Sequence, residues 1–459
     1  MFIKICAATT LAALLYDGGV TAHNLFKFPV VEDTDKDMDF PSQCMLDSDE
    51  DRLELLMHTV VIFWDEFCSN HRELFEAVVH FFQMKGKTFL FVCAGDSNQI
   101  GPVVKFGLPQ EIIAASILSS SLWPNFEIWT LTENMRVRQS LASINNDTPP
   151  EERQRAIRQQ LYAASLANMA TNTHSTHCKV LAEVNENESI LLLNLPVFFL
   201  TSQKEEAITW LFDGPFEVDK CINSVVLAAN NLSVNAWNSY IQGYNENTEF
   251  HLVSSDYLCD VDDENGHLAR LMNERTLNTF NKNGVPPHIL NLKVNDICMI
   301  TRAMMADNMP SNARVKITKI SQKLVWVLTI MEKEPRVIAL PKIRFKFRME
   351  YGQSFTMMRT QFPLRLAYAM SYNKSQSQTL LRTLVDCTEM PFAHGHLYVA
   401  SSRVRSPDNI AYFFQDGNEL VALHKKPVVT NIVYRSLILP PTIPSETDRI
   451  VTWGASNTD

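Results

Sequence analysis

The hydrophobic pattern consists of short, nearly continuous apolar runs separated by stretches in which apolar residues recur at helical spacing. The run at residues 60–64 leads directly into Asp65 and Glu66, and a second run lies at residues 88–94. Runs of this kind are typical of strands that are buried on both faces of a sheet. Between them, residues 74–82 carry apolar side chains at helical spacing, which predicts a helix. A strand, a helix and a second strand in close succession predict a βαβ unit and a parallel sheet.

The first helix also has a predicted start. Asn70 and Glu73 have the spacing of an N-cap residue and its capping-box partner, so we expect the helix to begin just after Asn70.

Polar side chains follow the ends of both predicted strands. Asp65 and Glu66 come after the first strand, and Asp96 and Gln99 come after the second. Parallel sheets bind ligands beyond the carboxyl ends of their strands, so these side chains are expected along one edge. There Asp65 can hold Mg²⁺, Glu66 can polarise the water that attacks a γ-phosphate, and Gln99 can reach the terminal phosphate. The alternative is an ordinary polar loop after each buried strand.

The pattern further along the chain predicts a second α/β region with a β-rich insertion. A strand, a polar turn and a helix recur at residues 223–241, and short apolar strands follow one another between 296 and 348. The predicted fold class is therefore α/β with two parallel-sheet domains and a small β-barrel inserted in the second. The predicted divisions are domain one at 1–138, a helical or irregular connection at 139–220, the first part of domain two at 221–295, the barrel at 296–362, the rest of domain two at 363–440, and a flexible tail at 441–459.

Composition narrows the functional classes. The 459 residues include nine scattered cysteines and no C-x-x-C pair, which argues for a reducing compartment and against a disulfide framework or a zinc ribbon. The cluster His174, His177 and Cys178 is either a set of metal ligands or a polar loop. No apolar run is long enough to cross a bilayer. The net charge is −10, yet residues 336–374 contain eight Lys or Arg against one acid, which is either a phosphate-binding surface or a solvated basic face.

Polar groups in the second half are suited to phosphate chemistry. Lys374, Ser375 and Gln376 follow an apolar strand and offer a charge, a hydroxyl and an amide to a phosphodiester backbone. Arg403 follows the apolar residues 397–400, and an arginine delivered there by the second domain onto a γ-phosphate acts as an arginine finger.

Two further residues are weaker candidates for contacts with phosphate or nucleic acid. Arg136 follows another apolar stretch and can bridge phosphate oxygens, unless it is an ordinary surface charge. His394 is either one of a metal-binding pair with His396 or a nucleic-acid contact.

Four segments taken together resemble one family. AGDSNQIGPV, LTENMR, QFPLRLAYAMSYNKSQSQT and HGHLYVASSRVRS are similar, in this order, to motifs of superfamily-one DNA helicases of the petite integration frequency (Pif) type, and most of all to the helicase region of Helitron transposons. The resemblance implies two RecA-like domains that close on ATP and Mg²⁺. It also implies a monomeric 5′-to-3′ helicase on single-stranded or forked DNA, with roles in repair, recombination and telomere maintenance in the nucleus or in mitochondria.

The amino-terminal residues fit the same resemblance. The segment IKICAATTLAALLYDGGVTAHNLFKFP is similar to the motif of the family that contacts single-stranded DNA, and Thr9, Thr21 and His23 would be the DNA-side contacts. The alternative interpretation of this segment is a signal peptide.

The chain also departs from the family pattern. A P-loop of the form G-x-x-x-x-G-K-[ST] is expected before the amino-terminal motif, and the one partial match, KGKT at 85–88, has Phe81 in place of the first glycine and leads into a strand. We therefore expect a first domain that lacks the P-loop strand and helix, exposed apolar edges, and poor ATP hydrolysis. Ser377 stands where the family has a glycine. The alternative functions are a catalytically inactive, transposon-derived remnant that binds single-stranded DNA and a non-helicase nucleotide-binding protein.

Overall fold

The computed structural model describes residues 2–28, 44–104, 107–131, 133–145, 148–174, 178–193, 197–261, 273–282, 284–304, 309–330, 334–351, 353–418, 421–422 and 427–439. The predicted tail at 441–459 and His177 of the possible metal cluster lie outside these residues. Within them, the helices are too short or too polar to cross a membrane.

The strands are β1 (Phe2–Ala7), β2 (Val20–Thr21), β3 (Thr59–Asp65), β4 (Leu90–Cys93), β5 (Cys178–Asn185), β6 (Glu188–Leu193), β7 (Phe198–Leu200), β8 (Ser224–Ala228), β9 (Glu249–Val253), β10 (Ser255–Val261), β11 (Ile289–Lys293), β12 (Ile297–Ile300), β13 (Arg314–Ile320), β14 (Leu324–Thr329), β15 (Val337–Pro341), β16 (Ile343–Tyr351), β17 (Gln353–Gln361), β18 (Leu364–Leu366), β19 (Ala369–Ser371), β20 (Arg382–Asp386), β21 (Ile410–Phe414) and β22 (Val428–Ile432). The helices are α1 (Thr10–Ala13), α2 (Ala22–Leu25), α3 (Glu50–Met57), α4 (Arg72–Met84), α5 (Pro109–Ala115), α6 (Met135–Ala142), α7 (Pro150–Thr171), α8 (Lys204–Leu211), α9 (Asn231–Gln242), α10 (Glu274–Thr279), α11 (Tyr372–Ser375) and α12 (His396–Ser401).

The first lobe is built on a parallel sheet with the strand order β2-β1-β3-β4. The predicted βαβ unit is β3, α4 and β4. The apolar face of α4 packs onto the sheet, where Phe75 and Phe67 contact the fully buried Trp64 of β3 edge-to-face. The carboxyl ends of β1 and β3 therefore lie side by side, with Ala7 paired to Asp65.

The predicted start of α4 is wrong by one residue. The helix begins at Arg72, and His71 is the N-cap without a capping side chain. The Asn70 side chain instead donates to the main-chain carbonyls of Glu66 and Phe67, at 3.3 Å each, so it holds the turn that follows β3.

The edge of the first sheet at β4 is apolar. Leu90 is 62% exposed and Val92 is 43% exposed, although both belong to a parallel sheet, whose strands are normally covered. The segment 126–131 lies near this edge but does not form a strand. The KGKT segment follows α4 and leads into β4, as expected for a turn rather than a phosphate loop.

The second lobe is built on a five-stranded parallel sheet with the order β19-β8-β20-β21-β7. Together the two parallel sheets confirm the α/β fold class. The five residues of β8 are all buried, in agreement with the continuous apolar run of the sequence. The predicted connection at 139–220 is partly wrong, because it contains β7, which pairs with β21, and α8, which packs on the same sheet.

The region between α9 and β19 is antiparallel. It comprises the sheets β15-β14-β13-β12-β18, β10-β17-β16 and β11-β9. The predicted strands between 296 and 348 are present, but antiparallel pairing begins at Glu249 and extends through Leu366, so the predicted boundaries of 296 and 362 are too narrow.

A buried ion pair holds the β10-β17-β16 sheet. The guanidinium of Arg359 and the carboxylate of Asp256 are both fully buried, and two nitrogens of Arg359 donate to Asp256 at 2.7–3.1 Å. Ser254 also donates to Asp256, at 2.6 Å. Removal of one charge would leave the other buried and uncompensated.

Candidate functional site

The predicted site lies where the two lobes meet. On the first lobe it begins with Asp65 at the end of β3. One carboxylate oxygen of Asp65 accepts the hydroxyl proton of Tyr16 at 2.9 Å, and the other accepts the main-chain N–H of Glu66 at 2.9 Å. Burial, assisted by the bond to Asp65, raises the pKa of Tyr16 to about 12, so Tyr16 remains a donor at neutral pH. Asp65 is therefore fixed in orientation before any ligand binds.

Glu66 occupies a strained backbone position. Its φ of +51° is in the left-handed region, which costs a non-glycine residue about 1 kcal/mol. Its main-chain carbonyl accepts the hydroxyl of Ser69 at 2.8 Å, which supports this conformation. The carboxylate points to the second lobe, where its Oε1 accepts the hydroxyl of Ser377 at 2.8 Å.

The electrostatic surroundings of Glu66 are mixed. Burial raises the pKa of Glu66 above its ordinary value, and the charges of Asp65 and Asp96 act in the same direction. The hydrogen bond from Ser377 and the charge of Arg403 oppose that rise. A carboxylate with a raised pKa can accept a proton more readily, as a group that polarises water must.

The loop after β4 also docks on the second lobe. One oxygen of Asp96 accepts the hydroxyl of Tyr398 at 2.9 Å and the amide of Gln99 at 3.3 Å. In the described contacts, Oε1 of Gln99 is buried and has no hydrogen-bond partner. A buried orphan acceptor of this kind is available to a ligand or a water.

His394 and Gly395 form the second-lobe side of this contact. Nε2 of His394 donates to the carbonyl of Ser97 at 3.0 Å, and its Nδ1 accepts the N–H of Tyr434 at 3.0 Å. Burial lowers the pKa of His394, in keeping with this neutral tautomer. His394 is 2% exposed and has both nitrogens engaged, which corrects the expectation of a DNA contact.

Gly395 is required by close approach of two main chains. Its φ is +72°, and a Cβ added there would lie 2.6 Å from the carbonyl oxygen of Asn98. Only glycine fits without moving the lobes apart.

Arg403 reaches the interface but is engaged inside its own lobe. Its Nη1 donates to the carbonyls of Ser375 and Gln378 at 3.3 Å each, its Nε donates to Val399, and its Nη2 donates to Ser402. The guanidinium is close enough to Glu66 to affect its pKa. The structure thus places Arg403 beside the predicted catalytic group, while its donors are divided between the loop at 375–378 and Val399 and Ser402, instead of projecting as a free finger.

Arg136 lies in the first turn of α6 and is exposed. Its charge acts on both Tyr398 and Arg403, so it faces the same interface. The predicted catalytic set, Asp65, Glu66, Gln99, Arg136 and Arg403, is therefore gathered around one junction of the two lobes.

The predicted DNA contacts of the first lobe have structural tasks. The hydroxyl of Thr9 caps α1 by accepting the N–H of Ala12 at 3.1 Å, and that of Thr21 caps α2 by accepting the N–H of Asn24 at 3.2 Å. His23 is half-buried in α2, and burial lowers its pKa. Both threonines follow the carboxyl ends of β1 and β2, on the edge where ligands bind.

The predicted contacts of the second lobe divide into two kinds. Ser375 is fully buried and donates to the carbonyl of Tyr372 at 2.7 Å, which corrects its assignment to DNA. Lys374 is half-buried next to Arg365, and burial followed by the Arg365 charge lowers the pKa of Lys374 to about 8. Gln376 is 8% exposed, and in the described contacts its Nε2 has no partner.

Sequence reasoning missed the residues that hold the predicted acids and join the lobes. Tyr16 donates its hydroxyl to Asp65 within the first lobe, Ser377 and Tyr398 of the second lobe donate theirs to Glu66 and Asp96, and Gly395 allows the main chains to meet. The one usable signal was at Ser377, where a side chain stands in place of the family's glycine. Its φ of +63° shows why glycine suits that position. A tyrosine hydroxyl gives no sequence pattern.

An apolar groove of about 730 Å³ lies elsewhere, along the edge of β4. Aromatic side chains line it, among them Phe75, Phe82, Phe91, Phe126 and Trp129. It contains none of the acids described above and is separate from the junction of the lobes.

Comparison with known proteins places this arrangement in context. Residues 2–155 match the sequence profile of the PIF1-like helicase family. The ATP-dependent DNA helicase Pif1 of Campylobacter jejuni is 39% identical over 54 residues, a segment that is 12% of this chain and 12% of that relative.

Solved structures are similar over nearly the whole chain. The Pif1 helicase from Candida albicans has a TM-score of 0.56 and 18% identity, over 92% of this chain and 88% of that one. The Pif1 helicase from Bacteroides, solved in complex with ADP-AlF3 and ssDNA, has a TM-score of 0.56 and 17% identity, over 95% of this chain and 84% of that one. At these identities the likeness establishes the fold.

Proposed function

The chain resembles Pif1-type helicases in the sequence of residues 2–155 and in its whole fold, and from this premise we propose that it is an ATP-dependent DNA helicase. The substrates of the proposed reaction are ATP and single-stranded or forked DNA. The 5′-to-3′ direction, a monomeric state, roles in repair, recombination and telomere maintenance, and action in the nucleus or in mitochondria belong to the same proposal. They rest on the motifs of the sequence.

The observation that carries the proposal is the convergence of side chains from both lobes. Glu66 contacts Ser377 across the junction, Asp96 contacts Tyr398, and the carbonyl of Ser97 accepts the proton of His394. A nucleotide bound between two such lobes can couple their closure to its own hydrolysis. An ordinary two-domain protein has no reason to place its strand-end acids at such a junction.

The residues at the junction fit a magnesium nucleotide. A carboxylate has about four acceptor sites, and Asp65 uses one on each oxygen, so it retains capacity for a cation. Magnesium sites commonly take one or two carboxylates and complete their shell with phosphates and water. The described residues contain no cluster of three or more His, Cys, Asp or Glu, in accord with such a shared shell. Magnesium, when bound, neutralises charge that develops on the phosphates.

The protein groups have separable tasks in this mechanism. Glu66 orients and deprotonates the attacking water, which its raised pKa favours. Oε1 of Gln99 and Nε2 of Gln376 are buried orphans on opposite lobes, and each is available to the nucleotide, its water or the DNA. Arg136 supplies positive charge at the open side of the junction. Loss of the terminal phosphate removes attraction between the lobes and allows them to separate.

Positive charge near Lys374 supports DNA binding. Arg365 lies close enough to Lys374 for its charge to disfavour that of the ammonium, and in the described contacts the ammonium of Lys374 has no acidic partner. Two adjacent cations of this kind are stabilised by a phosphate, which relieves their repulsion.

The test is ATP hydrolysis and strand displacement by the purified chain, with and without single-stranded DNA. We expect low turnover that DNA stimulates, since KGKT at 85–88 does not fit the P-loop pattern, and we expect Glu66→Gln to abolish this turnover while nucleotide binding, measured with a fluorescent ATP analogue, is retained. Ser239→Ala, at an exposed position of α9, is the control. Turnover that survives in Glu66→Gln would remove the water-polarising role.

One observation favours a second candidate, a single-stranded DNA-binding protein without turnover. Most donors of Arg403 are engaged within its lobe, which leaves fewer N–H groups for a γ-phosphate than an arginine finger offers. Salt-dependent DNA binding without hydrolysis under any nucleotide condition would support this candidate.

A further inference from the structure

The contact between Ser377 and Glu66 has an unusual backbone on both sides. Both are non-glycine residues with left-handed φ angles, +63° for Ser377 and +51° for Glu66. Each lies in a tight turn at the edge of its lobe, and the hydroxyl of Ser377 donates to Oε1 of Glu66 at 2.8 Å. Left-handed non-glycine residues persist only where their surroundings hold them.

The turn that carries Ser377 is held from three directions. The N–H of Gln378 donates to the carbonyl of Ser375 at 3.1 Å, and the side chain of Gln378 donates to the carbonyl of Lys374 at 2.8 Å. Nη1 of Arg403 donates to the carbonyls of Ser375 and Gln378, on either side of Ser377. The direction of the Ser377 hydroxyl is therefore set by its own lobe.

Among the described contacts, the hydroxyl of Ser377 is the neutral donor to the Glu66 carboxylate, and it engages Oε1. The charged groups that act on Glu66 are Asp65 and Asp96, which repel its carboxylate, and Arg403, which attracts it. The orientation of the carboxylate therefore depends on a hydrogen bond that crosses the junction.

We propose that Ser377 is a positioning residue for Glu66: its hydroxyl orients the carboxylate, and it does so only while the lobes are closed. The proposal rests on the proposed function, because the task it assigns to Ser377 is to align the group that polarises water. In this proposal Arg403 holds the turn at 375–378 and so affects Glu66 through Ser377. Glycine in place of Ser377 would suit the left-handed backbone but would remove the hydrogen bond to Glu66.

The experiment compares Ser377→Ala, Ser377→Gly, Glu66→Ala and the double variant Ser377→Ala/Glu66→Ala, with Ser239→Ala as the control. Ser377→Ala removes the hydroxyl and keeps the backbone strain, whereas Ser377→Gly removes both. The first measurement is hydrogen exchange in peptides that cover residues 62–70 and 372–380. The second is kcat and KM for ATP, measured separately in the presence of single-stranded DNA.

We expect exchange in both peptides to become about tenfold faster in Ser377→Ala and in Ser377→Gly, as for loss of a hydrogen bond to a charged group. In the double variant exchange should be no faster than in Glu66→Ala. We also expect kcat to fall with KM for ATP unchanged, because the hydroxyl acts through the carboxylate of Glu66. A purely structural role would change KM together with kcat.

Three results would overturn the proposal. The first is hydrogen exchange in Ser377→Ala at the wild-type rate, and the second is an exchange rate in the double variant that adds the effects of the two single variants. The third is a defect in Ser377→Gly but not in Ser377→Ala, which would assign the effect to the backbone. If the wild type hydrolyses no ATP, the proposed function fails, and the exchange cycle still decides whether Ser377 holds Glu66 across the junction.

Discussion

Gly395→Ala is expected to separate the lobes without unfolding either one. The added Cβ would lie 2.6 Å from the Asn98 oxygen and from the Gln99 carbonyl carbon, and these main-chain atoms cannot rotate away. The φ of +72° adds a backbone cost of about 1 kcal/mol for alanine.

The larger part of the cost comes from contacts that depend on the close approach. If the lobes move apart, the bonds from His394 to the Ser97 carbonyl and from Tyr398 to Asp96 are lost. A neutral hydrogen bond contributes about 1 kcal/mol and one to a charged acceptor about 2 kcal/mol. With the backbone cost, closure should be weakened by about 4 kcal/mol, which is about a thousandfold in the closing equilibrium.

Gly417→Ala is the matched control. Gly417 has a φ of +77° but has no atom within 4 Å of an added Cβ, so it should bear only the backbone cost of about 1 kcal/mol. Hydrogen exchange of residues 95–101 and DNA-stimulated hydrolysis are the assays. Only Gly395→Ala should accelerate exchange there and reduce hydrolysis. Equal behaviour of the two variants would refute the assignment of this junction as the closing interface.

Three further predictions follow from single sites. The pKa of Glu66 is raised in the folded chain, so the stabilising contribution of its protonated carboxyl is present below the pKa of the unfolded chain and is lost as pH rises through the pKa of the folded chain. Glu66→Gln should therefore increase the free energy of unfolding at pH 7 and have little effect at pH 4. A loss of stability at pH 7 would contradict this. Arg359→Met should lower the free energy of unfolding in a denaturant titration by about 3 kcal/mol, because it removes the guanidinium from the buried Asp256 and leaves that carboxylate with Ser254 and His288 alone. Lys316→Met at a surface pair should cost less than about 1 kcal/mol; comparable losses would argue against the burial explanation. Lys374→Ala should weaken DNA binding and reduce the slope of log affinity against log salt by about 1, with Lys323→Ala as an exposed control; an unchanged slope would exclude a phosphate contact at Lys374.

Local pattern was sufficient for most of the secondary structure. β8 contains the apolar run at 225–228 and is buried along its whole length, and β3, α4 and β4 form the predicted βαβ unit. The order of the elements then fixed two parallel sheets, and the strand-end acids fell on one edge because parallel strands share a direction. These results depend on side-chain periodicity and on chain order, both of which can be seen in the sequence.

The sequence did not determine which polar atoms are free. Ser375 and His394 were expected at DNA because their types suit phosphate and base contacts, but both are buried and hydrogen-bonded within the protein. Arg403 was expected as a free finger, but tertiary packing engages its Nη1 with the loop at 375–378 and its other nitrogens with Val399 and Ser402. Burial and partner choice depend on residues far apart in the chain, so no local pattern encodes them.

The sequence by itself determined the two α/β lobes, the antiparallel insertion and the strand-end position of Asp65 and Glu66, because apolar periodicity decides which faces are buried. Only the tertiary structure decided that Ser377 and Gly395 meet the first lobe, since that contact joins positions about three hundred residues apart and depends on left-handed backbone at both. Such a contact exists only when two separately folded sheets are brought together.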